Sequence, residues 1–110
     1  KNENHYISKA IEFIQNNYSN YIKVSDISNY LCLNRTYLTS LFQKYLGMSP
    51  QQFLIQFRIT KAAQLLVETN LSVADISRSC GYNDSLAFSK SFKKIKSLSP
   101  TDFRLQMKKV

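Results

Sequence analysis

The chain repeats itself, and that repeat limits the folds open to it. Displaced by 49 positions, Val24, Asp26, Ile27, Ser28 and Asn34 fall on Val73, Asp75, Ile76, Ser77 and Asn83. Displaced by 50, Leu38, Phe42, Lys44, Ser49, Pro50 and Phe53 fall on Phe88, Phe92, Lys94, Ser99, Pro100 and Phe103. One extra residue in the second copy's turn accounts for the slip. Two copies are too few to stack as a solenoid. They describe two similar three-element units with one segment between them.

Apolar spacing makes those elements helical almost throughout. Ile7, Ala10, Ile11, Ile14 and Tyr18 form one stripe at helical spacing from Tyr6 onward, followed by a polar loop over 16–21. Val24 to Leu31 reads as a short helix, with Ser25 or its neighbours available as a cap. After a turn at Cys32, Leu33 and Asn34, a second helix runs from about Arg35 and stops at Gly47, which can take the left-handed conformation. Ser49-Pro50-Gln51-Gln52 combines a capping serine, a proline suited to the first helical position and a capping-box glutamine. The helix it opens should reach about Val67, packing through Phe53, Leu54, Phe57, Ala62, Leu65 and Leu66. Ser72 to Asp75 opens the next helix with a similar box, and Gly81 ends it. Asn83 or Asp84 caps a helix to about Lys96, and Ser99-Pro100 starts the last, to about Met107. The expectation is an all-α chain: helix-turn-helix subdomains over 1–48 and 69–110, joined by a long linker helix over 49–68.

Each unit then has an inner and an outer face. The inner stripes, Leu38, Leu41, Phe42 and Tyr45 in the first and Phe88, Phe92 and Ile95 in the second, read as core. The outer faces hold Arg35, Thr36, Thr39, Ser40 and Gln43, then Ser85, Leu86, Ser89, Lys90 and Lys93. Short polar and basic side chains at a helix start are what close approach to base edges in a major groove requires. Leu86 and Ala87 are apolar there and could touch a thymine methyl, unless Ala87 turns toward its own unit.

Charge points the same way. The net charge is +8, which suits a polyanionic partner. The excess is not uniform: residues 31–67 hold Arg35, Lys44, Arg58 and Lys61 with no acid, and residues 81–110 hold seven basic groups against Asp84 and Asp102. Lys44, Lys61, Arg78, Lys93, Lys94 and Lys96 are therefore the phosphate-contact candidates.

Other classes find little support. No apolar run approaches the roughly 20 residues that span a bilayer, and the polar start lacks a signal-peptide pattern, so a cytoplasmic, non-membrane protein is expected. Cys32 and Cys80 form no C-x-x-C pair and have only His5 as a companion ligand, so free buried thiols are expected and no metal or cofactor. A single histidine, dispersed acids and the lack of a nucleophile elbow argue against catalysis.

The order of these signals resembles the DNA-binding domain of the AraC/XylS family of bacterial transcription regulators. The resemblance is carried by Ile76-Ser77, Gly81-Tyr82, Phe88-Ser89-Lys90-Ser91-Phe92-Lys93-Lys94, Ser99-Pro100 and Phe103-Arg104. Tyr37-Leu38, Leu41-Phe42, Gly47-Met48-Ser49-Pro50 and Phe53 carry it in the first unit, and Arg58, Ala62 and Leu65-Leu66 in the linker. It covers about residues 6–105. It implies seven helices, double-stranded DNA bound by both units in successive major grooves of an asymmetric site, and contact with RNA polymerase when activating. Carried over residue by residue, it implies base readout by Arg35, Thr36, Thr39, Ser40, Ser85, Leu86, Ser89 and Lys90. It also implies an effector-sensing domain upstream of Lys1, and sugar-utilisation operons as a common target class. Two departures stand out. Thr36, Ser40 and Leu86 hold positions often filled by long polar side chains, so sparse direct readout is expected in the first unit. Ser97 takes the place of a frequent glycine before the last Ser-Pro, so a differently shaped turn is expected there.

Overall fold

The computed structural model describes residues 2–108, and within them seven α-helices follow one another without a strand. They are α1 Glu3–Asn17, α2 Val24–Leu31, α3 Arg35–Leu46, α4 Pro50–Glu68, α5 Val73–Ser79, α6 Ser85–Lys96 and α7 Pro100–Met107. Packing divides the chain into two compact units: 1–18 with 22–54, and 19–21 with 55–110. The helix α4 contributes its first turn to one unit and the remainder to the other. None of these helices is long and apolar enough to cross a membrane.

In the first unit α1 packs on both α2 and α3. Its Ile7, Ala10 and Ile14 are buried with Val24 and Ile27 of α2 and Leu38, Leu41 and Phe42 of α3. Ile11 and Tyr18, expected on the same stripe, lie at its half-buried margin. Phe13 stacks on Tyr30 at 4.6 Å, so the α1–α2 contact extends into an aromatic rim. Tyr45, expected in the inner stripe, instead lies exposed: its hydroxyl donates to Glu3 at 2.7 Å, which draws the ring off the core.

The second unit is built on Ile59, Ala62, Ala63 and Leu66 of α4, Ile76 and Cys80 on and beside α5, and Phe88 and Phe92 of α6. Val73, Tyr82, Ile95 and Phe103 close over that cluster. Three aromatic contacts run through it, Tyr82–Phe88 at 5.4 Å, Phe88–Phe92 at 5.8 Å and Phe92–Phe103 at 5.3 Å. Ile59 and Ala63 are wholly or nearly buried although the periodic reading of α4 passed over them. A helix that packs in two directions along its length shows no single stripe.

Local sequence sets the helix ends. Ser49 Oγ accepts from Gln52 N at 3.1 Å, and Gln52 Oε1 accepts from Ser49 N at 2.9 Å, a complete capping box ahead of Pro50. Ser72 and Ser99 cap α5 and α7 by accepting from Asp75 N and Asp102 N. The α2 cap differs from expectation. Ser25 lies inside the helix, and the terminus at Lys23 is tied by its N–H donating to Asp26 Oδ2 at 2.7 Å. Lysine has no side-chain acceptor, so only this half of a box can form. The first helix also starts earlier than its apolar stripe, at Glu3, and continues to Asn17, whose Nδ2 donates to Phe13 O.

Two left-handed residues carry a Cβ. Cys32 ends α2 at φ 57°, in the repeat position that Gly81 fills at φ 91° in the second unit. Ser97 ends α6 at φ 69°, matching Gly47 at φ 69° after α3. The differently shaped turn expected at Ser97 is therefore not found. The turn keeps the glycine geometry, and serine occupies a conformation that disfavours a side chain by about 1–2 kcal/mol.

Ser97→Gly should accordingly raise stability by about 1 kcal/mol, or roughly 4–8 °C in the thermal midpoint of so small a domain. Ser97→Ala should bring no such gain. Gly47→Ala should lose a comparable amount, since open space surrounds the new Cβ and only its φ opposes it. Thermal melts followed by circular dichroism measure all three.

Candidate nucleic-acid interface

The helices α3 and α6 each begin at a side-chain cap that fixes where the first exposed turn starts. Asn34 Oδ1 accepts from Tyr37 N at 2.8 Å, and Asp84 Oδ1 accepts from Leu86 N at 3.0 Å. In the sequence Asn34 belongs to the turn, and the 50-residue displacement that aligns the helices sets it against Asp84. From there the 3.6-residue period sorts the side chains. On α3, Leu38, Leu41 and Phe42 are buried while Arg35, Thr36, Thr39, Ser40 and Gln43 are exposed. Ser40 Oγ donates to Tyr37 O at 3.3 Å, which leaves its lone pairs facing outward as acceptors.

On α6 the buried positions are Phe88 and Phe92, and Ser85, Leu86, Ala87 and Lys90 are exposed. Ser89 is half-buried. Leu86 is 64% exposed, more than any other large hydrophobic residue of the chain described. Ala87 does not turn inward: both apolar residues at the start of α6 face out.

The six cations considered for phosphate contact divide by environment. Lys44 Nζ meets Glu3 Oε1 at 2.8 Å. That carboxylate also accepts from Tyr45; the hydrogen bonds from Lys44 and then Tyr45 hold Glu3 below the usual carboxylate range, and the same carboxylate raises Lys44 and Tyr45. This clamp between α1 and α3 is complete just above the ordinary carboxylate value and is lost as pH falls through the lowered value of Glu3. Arg78 pairs with Asp75 one turn away. Lys61 is half-buried with its ammonium 5.6 Å from the Phe57 ring centre. Lys93 and Lys94 are exposed and Lys96 half-buried, all in the last turn of α6, where the helix dipole favours cations. The last turn of α6 thus groups three cations, whereas the first unit presents Arg35 while Lys44 is paired with Glu3.

Arg58 matters in a way its sequence position did not reveal. It is 8% exposed, its Nη2 donates to Asn20 O at 3.0 Å, and its guanidinium lies 5.7 Å from the Tyr82 ring centre. Burial pushes its pKa down from the ordinary arginine value. It is a packing and positioning group for the turn between α5 and α6. Arg104 does similar service, donating to Leu66 O and Thr69 O at the end of α4.

Comparison with known proteins places the fold among helix-turn-helix regulators. A family described as a helix-turn-helix domain matches residues 27–106. The lactose operon transcription activator of Staphylococcus xylosus is 41% identical over 101 residues, covering 92% of this chain and 36% of that protein. The Msm operon regulatory protein of Streptococcus mutans is 37% identical over 102 residues, covering 93% of this chain and 37% of that protein. The chain thus spans little more than a third of the curated relatives it matches. Among solved structures, a transcriptional regulator of Chromobacterium violaceum described as having an AraC-type DNA-binding domain superposes with TM-score 0.85 at 27% identity, covering 94% of this chain and 93% of that one.

The cysteines behave unlike each other. Both are free, but Cys32 is exposed at its left-handed turn, contrary to the expectation that both thiols are buried. Cys80 is wholly buried, and loss of hydration pushes its pKa up to about 11. A raised thiol pKa adds stability in full below the ordinary value of 9.0, and that stability fades as pH climbs toward the folded value. A thiol reagent at neutral pH should therefore label one cysteine, Cys32, in the native protein and both only in denaturant. Mass spectrometry of the labelled peptides decides it, and rapid native labelling of Cys80 would contradict the packing.

Proposed function

Because the chain belongs to the AraC/XylS family of helix-turn-helix regulators, and is a DNA-binding domain rather than an enzyme, we propose that α3 and α6 are its two base-reading helices. Arg35, Thr36, Thr39 and Ser40 read one major groove, and Ser85, Leu86, Ser89 and Lys90 the next. Lys93, Lys94 and Lys96 hold phosphates beside the second, with Lys61 and Arg78 as secondary contacts. Lys44 joins them only when released from Glu3. The observation that supports this most is the duplicated design: two capped helices in repeat register, each buried on one face and exposing polar and basic side chains on the other, joined on α6 by Leu86 and Ala87.

The α4 helix, at 19 residues, is about 28 Å long at 1.5 Å per residue, close to the roughly 34 Å between successive major grooves on one side of a duplex. With dissimilar readers, the site they select is asymmetric. The names of the relatives, a lactose operon activator and an operon regulatory protein, support activation of a sugar-utilisation operon as the role of the whole protein, with RNA polymerase as its further partner. Sensing of the effector falls to the part of such a protein outside the matched third.

The test is binding to duplexes selected from a randomised pool, followed across a salt series. Affinity should fall steeply, with a slope near −0.9 for each phosphate neutralised. Lys94→Ala should weaken all sequences evenly and lower the slope by about 1, whereas Lys90→Ala should lose about 1–3 kcal/mol of discrimination at one base pair. Absence of duplex binding at low salt overturns the proposal.

A further inference from the structure

The outer face of α6 carries a feature that polar readout leaves without a purpose. Leu86, at the first turn of the helix, is 64% exposed, and Ala87 beside it is exposed as well. In the first unit the repeat sets Thr36 and Tyr37 at these positions, and Tyr37 is half-buried, its ring 6.3 Å from Tyr6. The second unit therefore places two adjacent exposed apolar groups where the first has an exposed threonine and a half-buried tyrosine. They are flanked by Ser85, by Lys90 one turn on, and by Asp84, whose Oδ1 is occupied with the Leu86 amide.

An apolar side chain in that setting finds one apolar partner on a major-groove edge. The groove offers donors and acceptors at every base pair, and a hydrocarbon group only at the C5-methyl of thymine. Leucine at this place cannot satisfy a cytosine amine or a guanine O6. Facing either would strip water from a polar edge without replacing its hydrogen bonds. The same side chain thus attracts a T·A pair and penalises a G·C pair.

Resting on the reading of α6 as a base-reading helix, we propose that Leu86, with Ala87 beside it, makes the C5-methyl of thymine a specificity determinant of the second half-site. The neighbouring Lys90 reaches the acceptors of an adjacent pair, so the half-site couples an apolar step to a charged one.

The experiment substitutes deoxyuracil for each thymine in turn in the selected duplex, which removes one methyl and leaves every hydrogen-bonding group in place. One thymine in the second half-site should show about four-fold weaker binding, the scale of one methyl group withdrawn from an apolar contact. At the same position a C·G pair should bind worse still, and 5-methylcytosine there should recover part of the loss. In Leu86→Ala, whose fold is checked by its thermal midpoint, the uracil penalty should vanish. Tight binding to a selected duplex with less than two-fold change at every uracil overturns this inference while leaving the base-reading role of α6 intact. So does a penalty that persists unchanged in Leu86→Ala. Failure to bind or select any duplex overturns both.

Discussion

Each of the two outward-facing helices is held by an edge-to-face pair of phenylalanines. Phe42 of α3 meets Phe53 of α4 at 5.8 Å and 71°, and Phe92 of α6 meets Phe103 of α7 at 5.3 Å and 78°. The two pairs are 50 residues apart in both members. Each joins an outward-facing helix to the helix that begins at Ser-Pro, where a serine cap and a buried proline set the following chain. A phenylalanine in such a core is worth about 3–5 kcal/mol against alanine, a large share of the stability of a small domain. Everything presented outward depends on it. Without the inner ring, the polar face has no fixed angle from which to meet a base.

Charge is added to that frame unevenly. In the first unit, Glu3 draws in both Lys44 and Tyr45, so part of the local positive field closes on itself. In the second, the last turn of α6 displays Lys93, Lys94 and Lys96 with the helix dipole in their favour. A polyanion meets the second unit with more counterion release and the first with more reliance on hydroxyls and Arg35. The two outward-facing helices share a repeat register and differ in chemistry.

Much of the fold could be read from the sequence because its signals are local. Ser-Pro at 49 and 99, glycine at 47 and 81, and apolar groups at helical spacing each act within a turn of chain, and the repeat confirms one copy by the other. The exposed face of α3 and α6 follows by subtraction from their buried stripes. What stayed hidden depends on distance. Arg58 reads as one more surface cation until the carbonyl of Asn20 and the ring of Tyr82 come round it. Tyr45 fits an apolar stripe by spacing, but Glu3, 42 residues away, takes its hydroxyl. Cys32 and Ser97 differ for another reason: each holds the left-handed backbone that glycine holds at the matching repeat position, which residue spacing alone does not show.

The central claim is that one chain reads two separate stretches of major groove with unlike helices. Methylation protection of guanine N7 on the selected duplex, bound by this chain at single-site occupancy, tests it most directly. Two protected major-groove segments about one helical turn apart are predicted, with Arg35→Ala exposing guanines in one and Lys90→Ala in the other. A single protected segment, or one segment lost to both substitutions, would contradict the account.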